Sequence, residues 1–309
     1  MKENMVWKAE RAEHAPTVEL GIYYESGEPE KRLFSREQKA CLGQEDLLME
    51  EVCGETGGRT VLSWKTEDTE RIITLLSDRI SETVSVKRGI AVLTGNYTGE
   101  QEKRLKQIVN TWIRMANAEQ EMLMDRETDW NAEQSDPKDG SAFWKIREET
   151  EKSVRMEWML SIKQEENTVF PAILLGSILA EGDGSYLGIE LREAHGYTDE
   201  LELELRKRED QLFLGVSFWV RRERAQEAKA VFEEVIRTAS DRIAEEDLQA
   251  AKQNYLQALE QLEDDTWNWN QKIGSAYRTE APEGIDRAEQ IQGYRAVTLE
   301  QVKALCRRL

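Results

Sequence analysis

Apolar and polar positions alternate through Thr17–Tyr24 (TVELGIYY). This predicts a strand, and Ser26-Gly27-Glu28-Pro29 behind it reads as a turn. Gln44–Cys53 carries leucines at a spacing that predicts a short helix. Gly57-Gly58 then leads into a strand over Arg59–Trp64. Ile72, Ile73, Leu75, Leu76 and Ile80 fall on one helical face within Thr66–Ile80, with Thr66 as a cap. Gly89–Thr94 is a continuous apolar strand that turns at Gly95-Asn96. Thr98 then caps a helix bearing Leu105, Ile108 and Trp112.

The pattern changes over 116–150, which is polar and acidic and contains Asp136-Pro137 and Gly140; it reads as a linker. Beyond it, Val154, Met156, Trp158, Leu160 and Ile162 alternate as a strand with one buried face. Asn167 or Thr168 caps an apolar helix over Phe170–Ala180. The turn Glu181-Gly182-Asp183-Gly184-Ser185 separates it from a helical segment at Tyr186–Ala194. Leu201, Leu203 and Leu205 alternate, as do Leu212 through Val220, with Arg206–Gln211 as the turn of a hairpin. Amphipathic helices follow around Ala228–Ile236 and Leu248–Leu262, and Thr298 caps a last helix with Val302 and Leu305. Strands that pair locally beside helices predict an α+β fold: two related halves of antiparallel sheet with helices on one face, the first half shortened. The expected division is 1–115, a linker over 116–150, and 151–309. The order of elements in the two halves suggests a duplication.

Composition narrows the partners. The chain has 309 residues, 39% hydrophobic and 33% charged, with a net charge of −19. So acidic a protein repels phosphate backbones, which argues against nucleic acid. A basic peptide is the complementary ligand, although the charge also serves solubility alone. Cys41, Cys53 and Cys306 form neither a disulfide framework nor a metal knuckle and read as reduced thiols, which points to the cytoplasm. The charged N-terminus lacks the apolar core of a signal peptide, and the longest apolar stretch, around Ala172–Ala180, is too short to span a bilayer. Gly182-Asp183-Gly184 with Gly188 lacks the spacing and the preceding strand of a dinucleotide fingerprint, so it reads as a turn.

The run Ala172–Tyr197 (AILLGSILAEGDGSYLGIELREAHGY) resembles the C-terminal half of the pitrilysin/insulinase metallopeptidases. The landmarks are the glycine-rich Gly182–Ser185, the triplet Leu191-Arg192-Glu193, and Gly196. Ile243–Leu259, Ala296–Val302 and Ile90–Asn96 resemble further landmarks of that family in the same order. The resemblance implies a half-clamshell that encloses peptides. It also implies a catalytic half with H-x-x-E-H on a helix, two histidines and a downstream glutamate on zinc, and the middle glutamate as base. Here the nearest string is Glu10-Arg11-Ala12-Glu13-His14, placed ahead of the first expected strand, and the only histidines are His14 and His195. One histidine with carboxylates makes a poor catalytic zinc site. The expectation is a catalytically silent subunit with no metal of its own, completing the chamber of a homologous zinc-bearing H-x-x-E-H partner.

The same resemblance places an arginine and a tyrosine on the substrate carbonyl. Arg192 stands at the arginine position. The tyrosine position falls on Asp199, with Tyr197 two residues earlier. Arg192 could instead serve an ion pair with Glu193 or Glu190. His195 is a further substrate-binding candidate or an ordinary solvated histidine. The Leu201–Val220 hairpin could offer an edge to an extended peptide or be wholly paired. Trp267 and Trp269 point to different faces of a helix, and one of them is expected exposed or at an interface, with core packing as the alternative. Two other readings are a stand-alone peptide-binding scaffold of the same fold and a zinc peptidase with a rearranged site.

Overall fold

The computed structural model describes residues 5–25, 33–34, 42, 47–53, 57–79, 84–86, 88–115, 142–163, 168–208, 211–262, 264–278, 281 and 283–308. The turn expected at 26–29, Cys41, Asn167 and most of the expected linker (116–141) lie outside the described residues. The chain folds into two compact units, Met1–Trp130 with Glu260–Glu280, and Asn131–Leu259 with Ala281–Leu309.

In the first unit the strands are β1 (Val6–Arg11), β2 (Thr17–Glu25), β3 (Leu47–Cys53), β4 (Gly57–Lys65) and β6 (Arg88–Gly95), in the order β1-β6-β2-β4-β3. The neighbours are antiparallel except β1 with β6. A small parallel pair joins β5 (Val84–Val86) to β7 (Ile113–Met115). Val18, Leu20, Ile22 and Tyr24 alternate onto one face of β2. They enter a core with Ile72, Ile73 and Leu76 of α1 (Thr69–Arg79) and Leu105, Val109 and Trp112 of α2 (Gly99–Trp112). Thr98 caps α2 through a reciprocal pair with Gln101, as its sequence predicts. Thr66 does not cap α1. It lies in a single 3₁₀ turn, and its hydroxyl donates to the Ala15 carbonyl at 3.1 Å.

Two elements of this unit depart from the pattern reading. Residues 47–53, expected within a helix, form β3, because Leu47↔Trp64 through Cys53↔Gly58 pair in register and that ladder outweighs the leucine spacing. The charged segment at the N-terminus forms β1, an edge strand that pairs through its backbone with β6.

The second unit holds an antiparallel sheet in the order β10-β11-β9-β8, made of β8 (Ala142–Glu149), β9 (Ser153–Lys163), β10 (Glu202–Arg208) and β11 (Gln211–Arg221). β8 falls inside the span expected as linker. β10 and β11 run to Arg208 and Gln211, so most of the expected Arg206–Gln211 turn is strand. The alternating residues of β9 and β11 bury Trp158 and Phe218 against Phe232 of α4 (Ala225–Arg242), with ring centroids 5.3 and 6.1 Å apart. Helix α3 (Val169–Ala180) is apolar all round and buried almost throughout, as the sequence predicts for a helix with no solvent face. After α5 (Glu245–Gln261) come three further helices, α6 (Thr266–Arg278), α7 (Arg287–Ala296) and α8 (Leu299–Cys306). The Lys252 ammonium, buried beside the end of α7, donates to the Arg295 and Val297 carbonyls and so satisfies acceptors that the helix leaves open.

Helix α6 belongs to the first unit although it follows α5 in sequence. It lies on β2 and β6, against the face of β2 that carries Glu19, Gly21 and Tyr23. The helices α1 and α2 cover the opposite face, so this sheet is enclosed on both sides. The sequence places Trp267-Asn268-Trp269 near a helix end, and it forms the first turn of α6, with Trp269 buried. The architecture is α+β, with antiparallel sheets and covering helices in each unit.

Candidate functional site

The glycine-rich turn and the segment after it form one local structure. Gly182 adopts φ +78°, a conformation that lets the chain reverse after α3 without a side-chain clash. The Ser185 hydroxyl donates to the Gly182 carbonyl at 2.8 Å and accepts from Gly188 N–H at 3.2 Å. Ser185 thereby ties the turn to the first residue of a π-helix over Gly188–Ala194. Leu187 and Leu191 are fully buried and hold this segment to the core. A wide helical turn of this kind is rare and frequent at functional sites.

Arg192 stands near the end of the π-helix. Its Nη2 donates to Asp183 at 2.8 Å and its Nε to Glu193 at 2.9 Å. The arginine thus spans back to the glycine-rich turn; its acidic partners are Asp183 and Glu193, and Glu190 is not among them. Asp183 is 98% exposed and Glu193 63%. The hydrogen bond to Glu193 raises the guanidinium above its already high ordinary value, with the Asp183 charge adding to it, so Arg192 is a cation at every working pH.

Gly196 closes the segment at φ +58°, and Tyr197 N–H returns to the Leu191 carbonyl at 2.8 Å. This chain reversal brings His195 and Tyr197 together. Their rings stack with centroids 5.2 Å apart and planes 6° from parallel. A carbonyl only accepts, so His195 Nδ1, 2.9 Å from the Glu190 carbonyl, carries the proton. Tyr197 is 9% exposed; its hydroxyl donates to Glu227 at 3.4 Å, and the Arg224 guanidinium lies 4.3 Å from its ring centroid. The structure stacks His195 on Tyr197 after the π-helix, while Arg192 reaches back to Asp183 in the preceding turn, so the three share one segment without a contact between Arg192 and either ring. It adds Asp183, Arg224 and Glu227, which the residue pattern did not single out. Asp183 was legible only as a turn residue, and Arg224 and Glu227 carry no signal apart from following β11.

His14 is exposed in the turn between β1 and β2. The string ending in it lies on a strand and a turn, so it follows a strand rather than preceding the first one, and it cannot present the one-sided helical spacing of H-x-x-E-H. Among the described residues, no group of three or more His, Cys, Asp or Glu side chains is placed to hold a metal. β10 is the terminal strand of its sheet, the arrangement an added strand requires. A cavity of about 530 Å³ in the same unit is lined by Trp144, Trp158, Glu233, Arg237 and Cys306 and includes none of Arg192, His195 and Tyr197. No described helix is long and apolar enough to cross a membrane.

This fold is shared with solved peptidase structures. The peptidase M16 inactive domain from Pseudomonas fluorescens aligns with 99% of this chain and 93% of its own, at TM-score 0.61 and 11% identity. A protease from Helicobacter pylori aligns with 99% of this chain and 96% of its own, at TM-score 0.65 and 9% identity. The periplasmic protease PqqL from Escherichia coli aligns with 96% of this chain at TM-score 0.60 and 11% identity, but the match covers only 42% of PqqL. No curated protein sequence matches the chain. The sequence profile of the family described as "Peptidase M16 inactive domain" matches residues 91–255, more than half of the chain. The chain belongs to that family and is a non-catalytic homologue of the pitrilysin-like peptidases.

Proposed function

We propose that this protein is the silent half of a two-chain peptidase. It binds an extended, basic peptide and completes the chamber of a homologous partner that carries H-x-x-E-H and the zinc. Arg192 carries the reading. It sits on a π-helix fixed by Ser185 at one end and by Gly196 at the other, and its anionic partners are both well exposed. Exposed ion pairs are worth about 0–1 kcal/mol, so a peptide carbonyl can displace Asp183 at little cost. The planar fork retains further N–H donors for that carbonyl. His195 and Tyr197, stacked on each other beyond the end of the same helix, are further peptide-contacting groups, and β10 offers an edge for strand addition. The thiols of Cys53 and Cys306 favour the cytoplasm as the compartment.

Mixing the purified chain with a homologous H-x-x-E-H chain from the same source tests the pairing. Light scattering behind size exclusion is expected to report a one-to-one complex. A chain that stays monomeric beside every such partner favours the stand-alone scaffold instead.

A further inference from the structure

We propose that Glu19, together with the side chains that close over it, forms a proton-operated clasp holding α6 on the first sheet. Glu19 is 1% exposed and lies on the face of β2 that α6 covers. The groups that face its carboxyl are the hydroxyls of Thr17 on its own strand, Ser63 on β4, Thr94 on β6 and Thr266 on α6. All are neutral, and none can compensate a buried anion as a cation would. Ser63 donates to Oε1 at 3.3 Å.

Counting hydrogens around Thr94 favours a neutral carboxyl. The Thr94 hydroxyl has one hydrogen and lies 2.9 Å from the Thr266 carbonyl and 3.4 Å from Glu19 Oε2. The carbonyl can only accept, so it takes that hydrogen. The two hydrogens of Asn270 Nδ2 go in the same way to the Val92 and Glu19 carbonyls, with the Thr94 oxygen farther off at 3.2 Å, so a protonated Glu19 supplies the donor that oxygen lacks. An ionised Glu19 would set its lone pairs against those of Thr94.

Asn270, fully buried on α6, completes the clasp. Its Nδ2 also lies 2.9 Å from the Val92 carbonyl and 3.1 Å from the Glu19 carbonyl, and its Oδ1 accepts from Tyr23 at 2.9 Å. Through Thr266 and Asn270 the helix is fastened to β2 and β6.

Burial raises the Glu19 carboxyl above its ordinary value of 4.5, and the surrounding hydroxyls offset this only in part. The sign follows directly. Below 4.5 the carboxyl is neutral whether α6 is docked or not, and the docking is at full strength. Above 4.5 the undocked carboxyl ionises while the docked one keeps its proton. Opening therefore becomes about tenfold more favourable per pH unit until the docked group itself ionises, after which it levels off.

Hydrogen exchange of the α6 amides in the full chain tests this, with each rate corrected for its intrinsic pH dependence, from about pH 5 to about pH 8. The wild-type opening constant is expected to climb about tenfold per unit and then flatten, and Glu19→Gln to remove the climb. A flat wild-type profile, or an equal slope in Glu19→Gln, overturns the clasp. Should that variant fail to fold, the wild-type Glu19 carboxyl carbon decides by NMR titration. A midpoint above 4.5 supports the clasp, and one at or below 4.5 overturns it.

Discussion

Arg192→Ala is expected to lower kcat for peptide cleavage by the reconstituted pair on the order of 100-fold, with a smaller change in KM. This is the size of loss found when one preorganised donor to a developing oxyanion is removed. Steady-state kinetics on a fluorogenic basic peptide reads the split. Arg192→Lys is expected to rescue little, because an ammonium cannot reproduce the planar fork. Asp183→Asn is the contrasting control. It removes a partner that is 98% exposed and screened by water, so kcat should move by less than about fivefold. If Arg192→Ala leaves kcat unchanged, the arginine serves only its ion pairs with Asp183 and Glu193.

Gly274→Val is expected to destabilise the first unit by on the order of 3 kcal/mol, read as a lower urea midpoint. A Cβ at this position in α6 would lie 2.3 Å from three atoms of the Tyr23 ring, far inside the carbon–carbon optimum of about 3.5–4.0 Å. The ring cannot swing aside, because Tyr23 is 1% exposed and its hydroxyl is bonded to Asn270. The helix propensity of valine opposes the effect by only a few tenths of a kcal/mol, so the clash decides the sign. Tyr23→Ala in the same chain removes the obstacle. The double variant should therefore be less destabilised than the sum of the singles by roughly 0.5–3 kcal/mol. Strict additivity would place Gly274 out of contact with the ring.

The clash also bears on what the pattern of residues could reveal. Strands β2, β9 and β11 alternate in sequence and are legible as they stand, although both of their faces are largely buried. Helix α3 is legible for the opposite reason, since it has no polar face at all. Helix α6 is hidden because the sheet face beneath it carries Glu19, Gly21 and Tyr23. Its own docking residues are accordingly Thr266, Asn270 and Gly274 rather than an apolar stripe. β1 and β3 are obscured by lying at sheet edges, where backbone pairing fixes the strand and the side chains keep charge or exposure.

The candidate site was legible in part. Arg192 was singled out by the family resemblance that Gly182–Ser185, Leu191–Glu193 and Gly196 carry. Its partner Asp183, nine residues back, depends on the π-helical winding, which no residue spacing announces. The same winding and the left-handed Gly196 lay Tyr197 against His195, two residues that sequence spacing alone sends in different directions.

Peptide cleavage with and without chelator, by the chain alone and by the chain mixed with an H-x-x-E-H partner, separates a silent half from a self-sufficient peptidase. The isolated chain is expected to show no turnover at any zinc concentration, and chelator-sensitive turnover to appear once the partner is added. Chelator-sensitive cleavage by the isolated chain would rule out the silent half.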